Sequence, residues 1–206
     1  MSRFDVLRSL GRGAARAGAE RVGKLRPVAG LRDAFAHLRA RQAMITEAGL
    51  ARAVSHGITG ARGVSVSLRD GRAVIDVAFA EGAPLVVAVI PEETRFAPRG
   101  AKEVLFRVEP PELAGDARAR EVVGAVAAAI ARALWGPVLG ERREGEHALV
   151  DREGARLRAD LRSVPSVRAA LEGSALAPAL DVVSIGGFAI ADRAFVVPVA
   201  LPFPAP

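Results

Sequence analysis

The stretch GVSVSLRDGRAVIDVAFA, residues 63–80, constrains this chain more than any other. If Asp70-Gly71 forms a two-residue turn, Leu68 faces Ala73, Val66 faces Ile75 and Val64 faces Val77, so one face of the hairpin is wholly apolar. Ser65, Ser67 and Asp76 fall on the other face. A period of two with one apolar side is what a half-buried antiparallel sheet requires, and such a sheet must be covered.

The cover is legible further on. Asp116 is placed to cap a helix that Gly136-Pro137 stops, and the intervening REVVGAVAAAIARAL is apolar nearly all round, with Val123, Val126, Ile130 and Leu134 as its ridge. That composition marks a helix buried against a sheet, over residues 116–135. Further strands are expected at 84–91 and 103–109, the latter ended by Pro110-Pro111. A second hairpin, ALVDREGARLRADL, turns near Glu153-Gly154 with Leu157, Ala159 and Leu161 on one face, and a short helix follows from about Ser166. A third turns around Asp192-Arg193, setting Ile190 against Phe195 and Phe188 against Val197. Pro198 lacks an N–H for the ladder, which predicts a sheet edge or bulge there. The first and third hairpins share a loose pattern, suggesting two related halves.

Upstream, residues 2–25 have helical spacing: Arg8, Arg12, Arg16, Glu20 and Lys24 recur at intervals of four beside a thin apolar stripe of Phe4, Leu7, Ala14 and Leu25. Four interior glycines, at about 1 kcal/mol each relative to Ala, make this helix marginal unless it docks on something. Pro27 and Gly30 end it. A second helix follows, carrying Leu31, Phe35 and Leu38 and continuing to Met44 and Ile45, and Thr46 starts or continues a third segment through Val54.

Charge divides the chain in the same place. Residues 1–43 hold ten Lys/Arg against three acids, a balance of +7, whereas the whole chain carries +6, leaving −1 on the remainder. We therefore expect a basic arm, 1–43, on an α+β domain, 44–206, in which antiparallel sheets of hairpins wrap the helix at 116–135. A positive arm attracts polyanions, and salt should weaken the attraction. Arg8, Arg12, Arg16 and Lys24 would meet anionic headgroups while Phe4, Leu7 and Leu25 enter the interface, as in interfacial amphipathic helices. Aromatic stacking platforms and a reading module are missing, which favours a membrane surface over nucleic acid. Arginines at 3, 8, 12 and 16 leave no room for the apolar core of a secretion signal, and Val122–Ala131 is far short of the ~20 residues that span a bilayer. The expected location is cytoplasmic, peripheral to the inner face of the membrane.

The segments ITEAGLARAV leading into VSVSLRDGRAVIDV, then VVAVIPEETRF, the helix at 116–135 and the closing LDVVSIGGFAIADRAFVVPVALP together resemble bacterial tubular lipid-binding (TULIP-like) proteins of unknown function, over residues 45–203. The resemblance implies a long helix cradled by a curved antiparallel sheet, with lipid or another apolar ligand between them. Val123, Val126, Ile130, Leu134 and Trp135 would line such a groove. It carries no catalytic motif.

The residues suggest no other chemistry. Cys is absent, so disulfides and thiolate catalysis are excluded. His37, His56 and His147 stand in different segments without metal-ligand spacing. No GxSxG elbow occurs, and the glycines at 57, 60 and 63 do not follow a strand and open a helix as a dinucleotide loop must. Glu92 and Glu93 beside Arg95 and Arg99 read as a solvated loop cluster. The expectation is non-catalytic binding of a lipid or apolar ligand without a cofactor. The alternative is a scaffold with a packed core that binds a protein partner or a second copy of itself.

Overall fold

The computed structural model describes residues 42–97, 100–136, 139, 144–173, 184–191 and 193–200. Among these residues ten strands and three α-helices follow in the order β1 (Gln42–Thr46), α1 (Glu47–Gly57), β2 (Ala61–Arg69), β3 (Arg72–Phe79), β4 (Leu85–Phe96), β5 (Lys102–Glu109), α2 (Ala117–Trp135), β6 (Leu149–Glu153), β7 (Arg156–Asp160), α3 (Pro165–Gly173), β8 (Ser184–Ile185), β9 (Ala189–Ala191) and β10 (Ala194–Ala200). The fold is α+β with two antiparallel sheets. The larger has the order β2-β3-β4-β5-β7-β6; in the smaller, β10 pairs with β1 on one side and with β8 and β9 on the other.

The first hairpin has the expected register, Leu68 opposite Ala73, Val66 opposite Ile75 and Val64 opposite Val77. Asp70 and Gly71 both take positive φ, 52° and 72°, the pairing a two-residue turn needs to match strand twist. The inward rows of β3, β4 and β5 are fully buried, from Ile75 through Val87 and Val89 to Phe106 and Val108. Leu157 and Ala159 of β7 continue the same face. In the third hairpin Ile190 stands opposite Phe195, and the Phe188 ring meets the Phe195 ring edge-on at 5.4 Å.

Two expectations are corrected and a third is narrowed. Met44 and Ile45 do not continue a helix: they lie in β1, opposite Val196 and Phe195, and the helical start is at Thr46, whose Oγ1 accepts from the Gly49 N–H at 3.1 Å. The strand expected to end at Pro91 runs on to Phe96, because the register shifts between Pro91 and Glu93 and so absorbs the missing proline N–H. Glu92, Glu93 and Arg95 are therefore on a strand and not in a loop. Of the two places expected for Pro198 the edge is excluded, since β10 is flanked on both sides, and the irregularity holds: the ladder shifts register between Val196–Ala189 and Val199–Ile185. The Pro198 carbonyl accepts from Gly186 at 3.2 Å, on the side where the β9 ladder has stopped at Ala189 and the β8 ladder begins at Ile185. The missing N–H faces that interruption, so no ladder bond is lost.

Candidate functional site

Asp116 caps α2 through its Oδ1, which accepts from the Ala119 N–H at 2.9 Å. The helix packs against α1 and against strands of both sheets, β4, β6 and β7 from the larger and β1 and β10 from the smaller. From Val122 to Ala131 every residue is buried, so no face of this segment is left to solvent. Small side chains permit that enclosure. A Cβ at Gly57 of α1 would stand 2.6 Å from the Ala125 Cβ, and one at Gly124 would stand 2.7 Å from the Ala148 carbonyl oxygen. The Ala148 N–H in turn donates to the Gly124 carbonyl at 3.0 Å, tying the chain before β6 to the helix backbone.

All five residues expected to line a groove belong to this closed region. Val123, Val126, Ile130, Leu134 and Trp135 are at most 3% exposed and share one hydrophobic cluster with the inward rows of both sheets. Trp135 Nε1 is buried and has no hydrogen-bond partner among the described residues. Phe4, Leu7, Arg8, Arg12, Arg16, Lys24 and Leu25, expected at a membrane surface, lie outside the described residues, as does His37.

Two buried charges escaped the sequence reading. Glu146 accepts from Nε and Nη2 of Arg132 at 3.0 and 2.8 Å through one oxygen and from the Ser166 N–H at 3.1 Å through the other. Burial opposes its ionisation, but hydrogen bonds from Ser166 and Arg132 prevail and hold its carboxyl below the usual carboxylate range. It thus fastens the start of α3 to the end of α2. Lys102 is 2% exposed, with its Nζ donating to the Ala97 carbonyl at 2.6 Å and lying 5.6 Å from the Phe96 ring centre. Neither residue has a sequence neighbour that announces burial.

The outward face of the larger sheet is charged along β4, β5, β7 and β6. Arg95 bridges Glu93 and Glu153, Arg107 joins Glu92 and Glu109, and Arg158 reaches Asp151 and Glu103. Hydrogen bonding by Arg95 lowers the pKa of both Glu93 and Glu153. Leu105 points into this lattice, outside the main cluster, with Glu93 and Arg158 beside it in register, yet it is fully buried. Long charged side chains cover it with their stems.

An open cleft of about 380 Å³ is lined by Asp160, Arg162, Ser163, Arg168, Leu171 and Glu172. Its serine is engaged on both sides, donating to the Asp160 carbonyl at 2.5 Å and accepting from the Leu149 N–H at 2.6 Å. His147 Nδ1 lies 2.8 Å from the Gly145 carbonyl, and the Gly145 N–H donates to the His56 carbonyl. Among the described residues no group of three or more His, Asp or Glu is placed to hold a metal ion, and no helix is long and apolar enough to cross a membrane. The glycines at 57, 60 and 63 serve a close helix contact, a turn at φ 77° and a strand irregularity. No family model matches the chain, and neither a curated protein nor a solved structure matches it.

Proposed function

We propose that the chain is a non-catalytic peripheral binding protein, a closed α+β body attached to an anionic membrane surface by its basic arm. The division of charge carries this reading. Several arginines of the body pair with carboxylates within it, as in Arg72 with Glu109, Arg95 with Glu153 and Arg132 with Glu146, whereas residues 1–43 carry +7 with the remainder at −1. The closed core supports contact at the surface over an internal lipid. Re-exposing a buried Val, Leu or Ile side chain costs about 1.5–3 kcal/mol, so opening a groove along all five helix positions would consume most of a typical domain stability of about 5–15 kcal/mol.

On this reading Arg8, Arg12, Arg16 and Lys24 contribute about 1 kcal/mol each near anionic headgroups, enough together for reversible attachment. Co-sedimentation with phosphatidylserine vesicles tests it. The full chain should bind at about 0.1 M salt, where the screening length is about 10 Å, and release as salt rises. Exchange of the three arginines for Gln should abolish binding while leaving the fold intact. Equal binding by that variant, or preference for duplex DNA at the same salt, would overturn the reading.

A further inference from the structure

Three large hydrophobic side chains stand out to solvent among the described residues: Met44, Leu149 and Val86. Val86 differs in its company. The inward residues of β3 and β4, from Ala73 to Val77 and from Leu85 to Val89, are buried, so the alternate residues Val74, Val86, Ala88 and Ile90 form an apolar strip on the outer face. Ala88 lies beside Val74, and Val86 lies beside Asp76. The other end of the strip is basic, since Arg69 and Arg72 face each other where the first hairpin closes. Asp76 and Arg69 are exposed, and neither side chain has a hydrogen-bond or ion-pair partner among the described residues. Asp76 and Arg72 are four residues apart on one strand, about 13 Å at about 3.3 Å per residue, so they do not meet within the chain.

We propose that a second copy of the chain packs on this strip, face to face, about a two-fold axis that lies between the two sheets and crosses β3 at Val74. Running across the strands, the axis reverses their direction. It sets Val74 over Val74 and Ala88 over Ala88 of the two copies, Val86 over Ile90, and Asp76 over Arg72. The two ends of the patch thus complement each other, which an isologous contact requires. Arg72 binds Glu109 of its own chain through one nitrogen, leaving further guanidinium donors for the Asp76 of the other copy. Glu109, beside Ala88, meets its counterpart at the margin of the contact, where Arg72 and Arg107 already hold each carboxylate. The surroundings of Met44 and Leu149 lack this arrangement. The row of Met44, Val196 and Ala189 has no charge, and Asp160 beside Leu149 accepts from the Arg162 N–H of its own chain. A contact limited to β2, β3 and β4 is smaller than the about 20–30 residues a side of a standard interface, so the association is weak and depends on concentration. It does not rest on the membrane reading and is tested without lipid.

The facing charges give the test. Sedimentation velocity of the full chain at about 0.1 M salt should show a reversible dimer that grows with concentration. Asp76→Arg and Arg72→Asp should each weaken it about tenfold or more, because each sets like charges across the axis. An equimolar mixture of the two variants should recover the dimer, since every facing pair is then opposite in charge. A full chain that stays monomeric up to about 1 mM, a dimer that both variants leave intact, or a mixture that associates no better than either variant alone would overturn the proposal. A second readout leaves these charges in place. The chain has no cysteine, so Val74→Cys, on the axis, should be joined between copies by a short bismaleimide far faster than Met44→Cys, on the smaller sheet. Equal rates of joining would also overturn it.

Discussion

The two sheets share α2 on their inner sides and differ on their outer ones. Along β4, β5, β7 and β6 the larger sheet carries a charge lattice in which Arg95, Arg107 and Arg158 with their carboxylate partners roof over Leu105, while Val86 of β4 and Leu149 of β6 stand exposed on the same face. The smaller sheet sets Met44, Val196 and Ala189 in one row without a charge. Both outer faces are built by the same alternation, so the contrast lies in residue choice alone. The larger sheet answers most of its outer face with ion pairs, and the smaller one leaves an apolar row there.

The inner side should be by far the more sensitive. Ile130→Ala removes a fully buried side chain that touches the shared core, and a loss of about 2–5 kcal/mol in chemical denaturation is expected. A loss below about 1 kcal/mol would mean that the site is loosely filled, as a ligand groove would be. Glu146→Gln comes next, at about 2–3 kcal/mol, since it weakens the hold on Arg132 and on the Ser166 N–H. Its pH dependence has a definite sign. The folded carboxyl titrates below its unfolded value of about 4.3, so its contribution is present above that value and is lost as pH falls through the folded one. Acid unfolding of the Gln variant should lack this component.

Gly57→Ala tests the closeness of α1 and α2. The added methyl would meet the Ala125 Cβ at 2.6 Å and the Glu146 carbonyl oxygen at 3.1 Å, and overpacking of this kind costs about 1–3 kcal/mol. Thermal melts should register it without loss of secondary structure by circular dichroism. The smallest effect belongs to the outer lattice. Arg95→Ala should shift the melting midpoint less than any of the preceding changes, and less still at high salt, because exposed ion pairs are screened. A large shift would make the lattice a structural element in its own right.

Much of this architecture is written locally. The Asp70-Gly71 turn with its alternating flanks determines a register that needs no distant information, and Asp116 with Gly136-Pro137 brackets α2. What escapes reading is pairing across long separations. Gln42–Thr46 is a strand because β10, more than a hundred residues later, lies beside it; alone, Ile45 stands seven residues after Leu38 and fits the same helical phase. The same holds for the extension of β4 past Pro91, which β5 supports, and for Leu105, whose burial comes from charged neighbours on other strands. Of the candidate site, the apolar ridge of α2 was legible, but its complete closure was not. Closure depends on Gly57, Gly124 and Ala148 meeting the helix from separate segments.

The closed body is the central claim, and native mass spectrometry of the full chain, purified without detergent, tests it most directly. At salt high enough to release the arm, the account predicts the bare chain mass and no uptake of a fluorescent fatty acid. A stoichiometric apolar molecule that co-purifies, and whose retention is lost on Ile130→Trp without loss of the fold, would contradict it.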